Sequence, residues 1–331
     1  MAPDLGVERM AGGMCEALDK GLRWLLGLQN ADGSVCPEDG VGAYYKIPWA
    51  YAAGGRLREA SRLLEWVRTN VLTPNGDFAG PYPRGPIHET IYPYANSWLV
   101  CGAHRLGYFD VSQRGMDFLE MLQSPSGGFY SQPGKPDQDL MCTCMAGMAA
   151  LYTGRLDRAL RVAAFLKRVW EAQPEPDRAL YFVWREGAGL ITEFRPEEAP
   201  AHVLRVGADW QWYFIPGIAA AFLASCYMAT GDRDYLALAA SYMDFADRCG
   251  EYVFRRAQGG KVGWGAALMY SLTGEERYRR AALRVGEYLV ASQQPDGSWQ
   301  NPAAGGARYT GIDVTAEFVV WLSEIARLVN P

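Results

Sequence analysis

Histidine is scarce in this chain, with three in 331 residues, and none of the seven cysteines forms a Cys-x-x-Cys pair. A His- or thiolate-built metal centre is therefore not expected. The odd cysteine count reads as free, mostly buried thiols in a reducing cytoplasm. Lys and Arg are scattered, and the net charge is −5, so neither a nucleic-acid stripe nor a polybasic membrane anchor is expected. The most apolar run, IPGIAAAFLASCYMA (215–229), is too short and too rich in small residues for a membrane span. The start, MAPDLGVERMAGG, lacks the charged and apolar regions of a signal peptide.

Aromatics are plentiful, with 11 Trp and 19 Tyr. The surplus reads either as packing between helices or as the lining of a pocket. Repetition is equally plain. The stretches LQNADGSV (28–35), LQSPSGGF (122–129) and QQPDGSW (293–299) share a Gln, a short gap, a Gly and then a small or aromatic residue. Around them one grammar recurs in five segments, a Gly turn, an amphipathic helix and a Gly or aromatic loop, and the opening segment 16–35 is a sixth copy without the preceding turn. In the copy TGEERYRRAALRVGEYLVASQQPDGSW (273–299), Tyr278, Ala281, Ala282, Val285, Tyr288 and Leu289 follow the 3.6-residue period. Arg279, Arg280, Arg284 and Glu287 face away, which marks an outer helix wet on one side.

Between the copies lie six helices apolar nearly all round, near 42–54, 88–106, 138–152, 206–230, 261–273 and 312–329. Such helices are buried. Six outer helices alternating with six inner ones predict an all-α fold, a single (α/α)6 toroid over 1–331. The Gln and Asp-Gly elements then read as structural clamps, with the aromatic packing back between neighbouring units.

These motifs resemble the Q-x-x-D/G-G-x-W/F repeat of the terpenoid cyclase and protein prenyltransferase superfamily. The clauses TGDRDYLALAASYM and TGEERYRRAALRVGEYL are also similar to those of (α/α)6 carbohydrate enzymes: uronyl hydrolases, epimerases and lyases. GGFYSQPGKPDQDLMCTCMAGMAAL (127–151) resembles the prenyltransferase segment whose lysines meet diphosphate and whose His binds zinc. Lys135, Asp139, Thr143 and Cys144 match, but Cys142 holds the zinc-His position, and no upstream D-x-C pair completes a site. The D-x-D-D of class II cyclases is represented only by Asp137 and Asp139, and the lanthipeptide-cyclase zinc motifs are absent. No metal or other cofactor is expected.

Each motif loop leads from an outer helix into the N-terminal end of an inner one, so one mouth of the ring gathers six inner N-termini, which favour anions. Polar residues collect in those loops. His88, beside Glu89, is the leading acid/base candidate, with a loop-fixing hydrogen bond as its plainer reading. His104 reads as structural, and His202 stays open. Asp209, between aromatic neighbours, is expected to have a raised pKa and to donate a proton, or else to be a helix-start acid. Asp139 and Asp313 occupy comparable places, Asp139 reading also as an N-cap. Tyr44, Tyr45, Lys46, Tyr92, Tyr94, Asn96, Trp210, Trp212, Tyr213, Lys261, Trp264 and Tyr309 are the expected substrate-binding residues. Their aromatic faces suit a carbocation or a sugar ring.

The first expectation is a cofactor-independent enzyme that cyclises or isomerises an apolar polyene by proton transfer. The second is a hydrolase, lyase or epimerase of uronate-type sugars. The third is a toroid that binds a ligand without turnover.

Overall fold

The computed structural model describes residues 5–78, 91–300 and 308–329. These hold twelve α-helices. Six are outer: α1 (Leu5–Leu26), α3 (Leu57–Asn70), α5 (Phe109–Glu120), α7 (Leu156–Glu171), α9 (Arg233–Arg248) and α11 (Glu276–Ala291). Six are inner: α2 (Ile47–Ala53), α4 (Tyr92–Arg105), α6 (Leu140–Tyr152), α8 (Phe214–Thr230), α10 (Gly260–Thr273) and α12 (Arg308–Val329). Each inner helix packs on the next around a ring, and α12 returns to α2, so the fold is an (α/α)6 toroid. The opening helix α1 packs on α12 and α11. It is the outer partner of the last inner helix, which explains why the first repeat has no inner helix before it.

The division between layers follows from side-chain pattern. In α11, Tyr278, Ala281, Ala282, Val285, Gly286 and Leu289 are buried, whereas in α6 every residue from Leu140 to Ala150 is buried. One is amphipathic, the other apolar all round.

The Gln loops are clamps, and they reach further than expected. Gln29 donates to Gly33 O (3.0 Å) and across to Glu59 O on α3 (3.0 Å). Gln123 joins Gly127 O to Arg158 O on α7, and Gln293 joins Gly297 O to Ala17 O on α1. Behind Gly127 and Gly297, the aromatic residue is tied to the following inner helix: Phe129 N donates to Thr143 Oγ1 (3.0 Å) and Trp299 N to Thr315 Oγ1 (2.9 Å). One short loop therefore binds three helices together.

Two expectations about elements need correction. The helix placed at 206–230 begins only at Phe214, because the segment 173–213 forms short strands and turns. In it β3 (Val183–Arg185) pairs antiparallel with β1 (Asp137–Asp139) and with β4 (Gly189–Leu190), while β2 (Ala179–Tyr181) pairs with β5 (Val203–Arg205). Alternating residues such as Leu180, Phe182 and Leu204 are buried on the toroid core, so period-two segments sit inside a period-3.6 protein. The helix placed at 42–54 is likewise shorter, with 3-10 turns at Pro37–Asp39 and Val41–Ala43 before Ile47.

A charged mouth over a tryptophan floor

The inner-to-outer turns are tight and the outer-to-inner loops long, so all inner helices start at one mouth. Four of them carry the same device: a polar residue in the mouth-side part of the helix or at its cap, and a Trp one turn deeper. The pairs are Lys46 and Trp49, Tyr94 and Trp98, Lys261 and Trp264, and Glu317 and Trp321. Residues three or four apart share a helix face, so each pair points along one line towards the axis.

The four indoles meet across the axis. Trp264 stacks on Trp321 with ring centroids 4.6 Å apart, Trp49 lies 4.9 Å from Trp98, and Trp98 lies 5.5 Å from Trp321. All four are buried. Below this floor, Arg105 covers Trp49 at 4.5 Å and pairs with Glu324. The N–H groups of Trp49 and Trp98 have no acceptor among the described residues.

Above the floor sits a quartet of charges, two ammonium groups and two carboxylates, neutral in sum. Lys46 Nζ donates to Asp313 Oδ2 (3.0 Å) and to Glu317 Oε2. Lys261 Nζ donates to Glu317 Oε1, which also accepts from Trp321 Nε1 (3.0 Å). Both lysine side chains are 3% exposed, while Glu317 is 14% and Asp313 24% exposed. Aromatic rings surround the ammonium groups. Lys46 Nζ is 5.1 Å from the Tyr45 ring and 5.7 Å from Tyr94, and Lys261 Nζ is 5.1 Å from Phe214 and 5.5 Å from Tyr94.

Burial and pairing set the protonation of each group. Burial alone would raise Glu317, but the charges of Lys261 and Lys46 overcome it and hold the carboxyl well below the usual range. Burial likewise works against the charge on Lys46, and its two carboxylates more than compensate, so its pKa is raised. Lys261 differs: burial lowers it, Glu317 with a smaller help from Asp313 does not fully compensate, and the charge of Lys46 adds to the fall. Burial, helped by the nearby carboxylates, also pushes the Tyr45 and Tyr94 phenols well up. The ammonium form is thus favoured more at Lys46 than at Lys261.

Of the expected site residues, Asp313, Lys46, Lys261, Tyr45 and Tyr94 are brought together. Tyr309 lies one turn before Asp313 on α12, and Trp264 belongs to the floor. Trp212 stacks between Phe182 (5.8 Å) and Phe214 (5.5 Å), leading to Lys261. Tyr92 and Asn96 both donate to buried Asp77, which takes the small-residue position of its motif loop. His88 and Glu89 lie outside the described residues.

Other expectations are corrected. Asp209 is not a raised acid: Arg256 donates to both its oxygens and lowers its pKa. Trp210 is 52% exposed at the rim rather than walling a buried pocket. Tyr44 turns outwards and meets Trp66 of α3 edge-on at 5.3 Å, while Tyr213 is buried and donates to Ala208 O. His104 and His202 contact Ser112 Oγ (3.2 Å) and Glu198 O (2.9 Å), as loop and helix-end ties.

Asp139 is the N-cap of α6: it accepts from Cys142 N (2.9 Å) and from Ser131 Oγ, with no contact to the quartet among the described residues. Asp139→Asn should keep both fold and turnover, and Asp139→Ala should lose about 1–2 kcal/mol of stability with turnover unchanged. Urea melts beside steady-state rates check this; a catalytic carboxylate would lose turnover in both variants.

Cys142 and Cys144 are fully buried, and burial drives their thiols well up, away from the thiolate that a metal needs. One group of three possible ligands, Cys36, Glu38 and Asp39, gathers among the described residues, and Arg308 already binds both carboxylates. Glu317 was missed by sequence reasoning. Its signal was the polar-then-Trp spacing shared with Lys46, Tyr94 and Lys261.

No protein-family model matches the chain, and no curated protein matches it. Solved structures do. A family 76 α-mannanase from Bacteroides thetaiotaomicron aligns over 96% of this chain and 97% of its own, at 12% identity and a TM-score of 0.67. A D-mannose isomerase aligns over 94% and 96%, at 13% identity and a TM-score of 0.69. A type II terpene cyclase variant from Scytonema, in complex with geranylgeranyl dihydroxybenzoate, aligns over 97% and 99%, at 13% identity and a TM-score of 0.60. All three named neighbours are toroid enzymes, and the likeness is one of fold. No helix among the described residues is long and apolar enough to cross a membrane.

Proposed function

We propose that the chain is an enzyme that moves a proton beside a carbonyl of a small polyhydroxylated substrate, as a sugar isomerase or epimerase does. The observation that carries this is the neutral Lys46–Asp313–Glu317–Lys261 quartet, set in an aromatic mouth above a tryptophan floor. Ammonium groups and carboxylates together match the donors and acceptors of sugar hydroxyls, and the rings offer faces for the apolar side of a pyranose. The four indoles fill the axis where a long polyene would have to extend.

Charge state supports the same reading. Protonating an alkene requires a neutral carboxylic acid, and Glu317 is held ionised. Isomerisation instead requires a base near neutrality and a fixed cation for the enolate oxygen. Lys261, held by Glu317 and with its pKa lowered by burial and by the charge of Lys46, is the group assigned to take and return the proton. Lys46, fixed by two carboxylates, holds the developing oxyanion, and Glu317 orients both lysines. The D-mannose isomerase and the mannanase supply precedents for sugars in this fold.

The test is exchange in deuterated buffer. Mannose, glucose, fructose and glucuronate are incubated with the enzyme and read by NMR. Deuterium entering a position beside the carbonyl, with product formed by wild type and none by Lys261→Met, is expected. Cyclisation of geranylgeranyl dihydroxybenzoate without sugar turnover would reject the reading.

A further inference from the structure

Trp210 breaks two habits at once. Its backbone is left-handed at φ 57°, a region that bulky residues avoid, and more than half of its surface faces water. Both features cost stability, so something must hold it there. Asp209 does so from two sides: its Oδ1 accepts Trp210 N (2.8 Å), and its carboxylate takes Arg256 in a two-point grip. The Arg256 guanidinium then lies 4.5 Å from the Trp210 ring centre. The indole is thereby backed by a cation and presents its remaining surface to solvent.

Its place in the fold gives that surface a direction. Trp210 stands in the loop before α8 and Arg256 in the loop before α10, both on the mouth side of the ring. Two residues on, Trp212 and Phe214 stack in series, and Phe214 reaches Lys261 at 5.1 Å. A stack of rings, Phe182, Trp212 and Phe214, therefore leads from this loop to the charge quartet.

We infer that Trp210 is a stacking platform for a second sugar ring, so that the substrate is a disaccharide or longer chain whose terminal unit enters the quartet. This rests on the sugar reading above and adds a subsite to it. Asp209 and Arg256 are positioning residues: they aim the indole and do no chemistry. A flat, amphipathic, pre-oriented ring stacks at low entropic cost.

The experiment is calorimetric titration of mannose against α-1,6-mannotetraose, and of glucose against maltotetraose, into wild type and Trp210→Gly. Glycine suits the left-handed backbone, so the variant's melting temperature should be equal or higher. For the preferred sugar series, wild type should bind the tetrasaccharide about 5–10-fold more tightly than the monosaccharide. Trp210→Gly should erase that gain and leave monosaccharide affinity intact. Equal affinity for both lengths in wild type, or a gain that survives in Trp210→Gly, overturns the platform while leaving the sugar reading in place. No binding of any of the four sugars to wild type overturns the platform, and joined to an absence of deuterium exchange with all four monosaccharides of the exchange test it overturns the sugar reading as well.

Discussion

Glu317→Gln should lower unfolding free energy by about 3–5 kcal/mol and abolish turnover, the largest effect of any single change at the mouth. The reason is charge balance in a buried place. Wild type holds two lysines at 3% exposure against two carboxylates. Without Glu317, Lys261 loses its carboxylate, and Lys46 keeps only Asp313. An unpaired ammonium in that setting costs far more than a missing surface ion pair.

The pH dependence identifies the cause. Glu317 has a folded-state pKa below its unfolded value, so its contribution is complete above about pH 4.3 and shrinks as pH falls below that towards the depressed folded value. Lys261 is also depressed, but as a cation: between its folded pKa and about 10.4 the unfolded chain binds more protons, so stability rises with pH there. In Glu317→Gln that window should open at lower pH, because the charge favouring protonated Lys261 is gone. The double variant Lys261→Met/Glu317→Gln should recover most of the lost stability, since it leaves the Lys46–Asp313 pair intact. Urea melts across pH check all three statements. A Glu317→Gln deficit independent of pH, or a double variant no better than the single, would mean that packing rather than charge governs the site.

Gly297→Ala should cost about 3–4 kcal/mol, against about 1 kcal/mol for Gly274→Ala. Both glycines have positive φ, 93° and 70°, so both substitutions strain the backbone. They differ in what a Cβ would meet. At Gly274 it meets open space, and at Gly297 it would lie 2.6 Å from Lys20 O and 2.9 Å from Lys20 C. Those atoms belong to α1, which cannot retreat without breaking the Gln293 bonds to Gly297 O and Ala17 O. That clamp joins the last outer helix to the first, so the whole ring would have to open. Thermal and urea melts of the two variants settle the comparison, and equal losses would show that the clamp carries no special weight.

Much of this architecture was readable before any coordinates. The 3.6-residue pattern separated outer from inner helices, because one face of an outer helix must stay wet. The Gln and Gly loops announced themselves by repetition, and their position before inner helices placed the mouth. What escaped depends on contacts distant in sequence. Asp209 looked like a desolvated acid because its neighbours are aromatic, yet Arg256, 47 residues away, pairs with it. Tyr44 and Tyr45 are adjacent in the turn before α2, and only the course of that turn decides that one meets Trp66 while the other meets Lys46. Glu317 looked like an ordinary helix residue until Lys46, 271 positions away, and Lys261, 56 away, were found against it. The strands before α8 were hidden because each is only two or three residues long, too short for a period-two pattern to stand out.

The protonation state of Glu317 is the measurement that bears most directly on this account. Difference infrared spectra of wild type and Glu317→Gln, isotope-edited with 13C-labelled glutamate, resolve that one carboxyl. The account predicts an ionised carboxylate signal at neutral pH that persists below the ordinary carboxylate value of about 4.3. A protonated carboxyl stretch at neutral pH would contradict it, remove the basis for a lysine base and a fixed cation, and restore alkene protonation as the chemistry of this mouth.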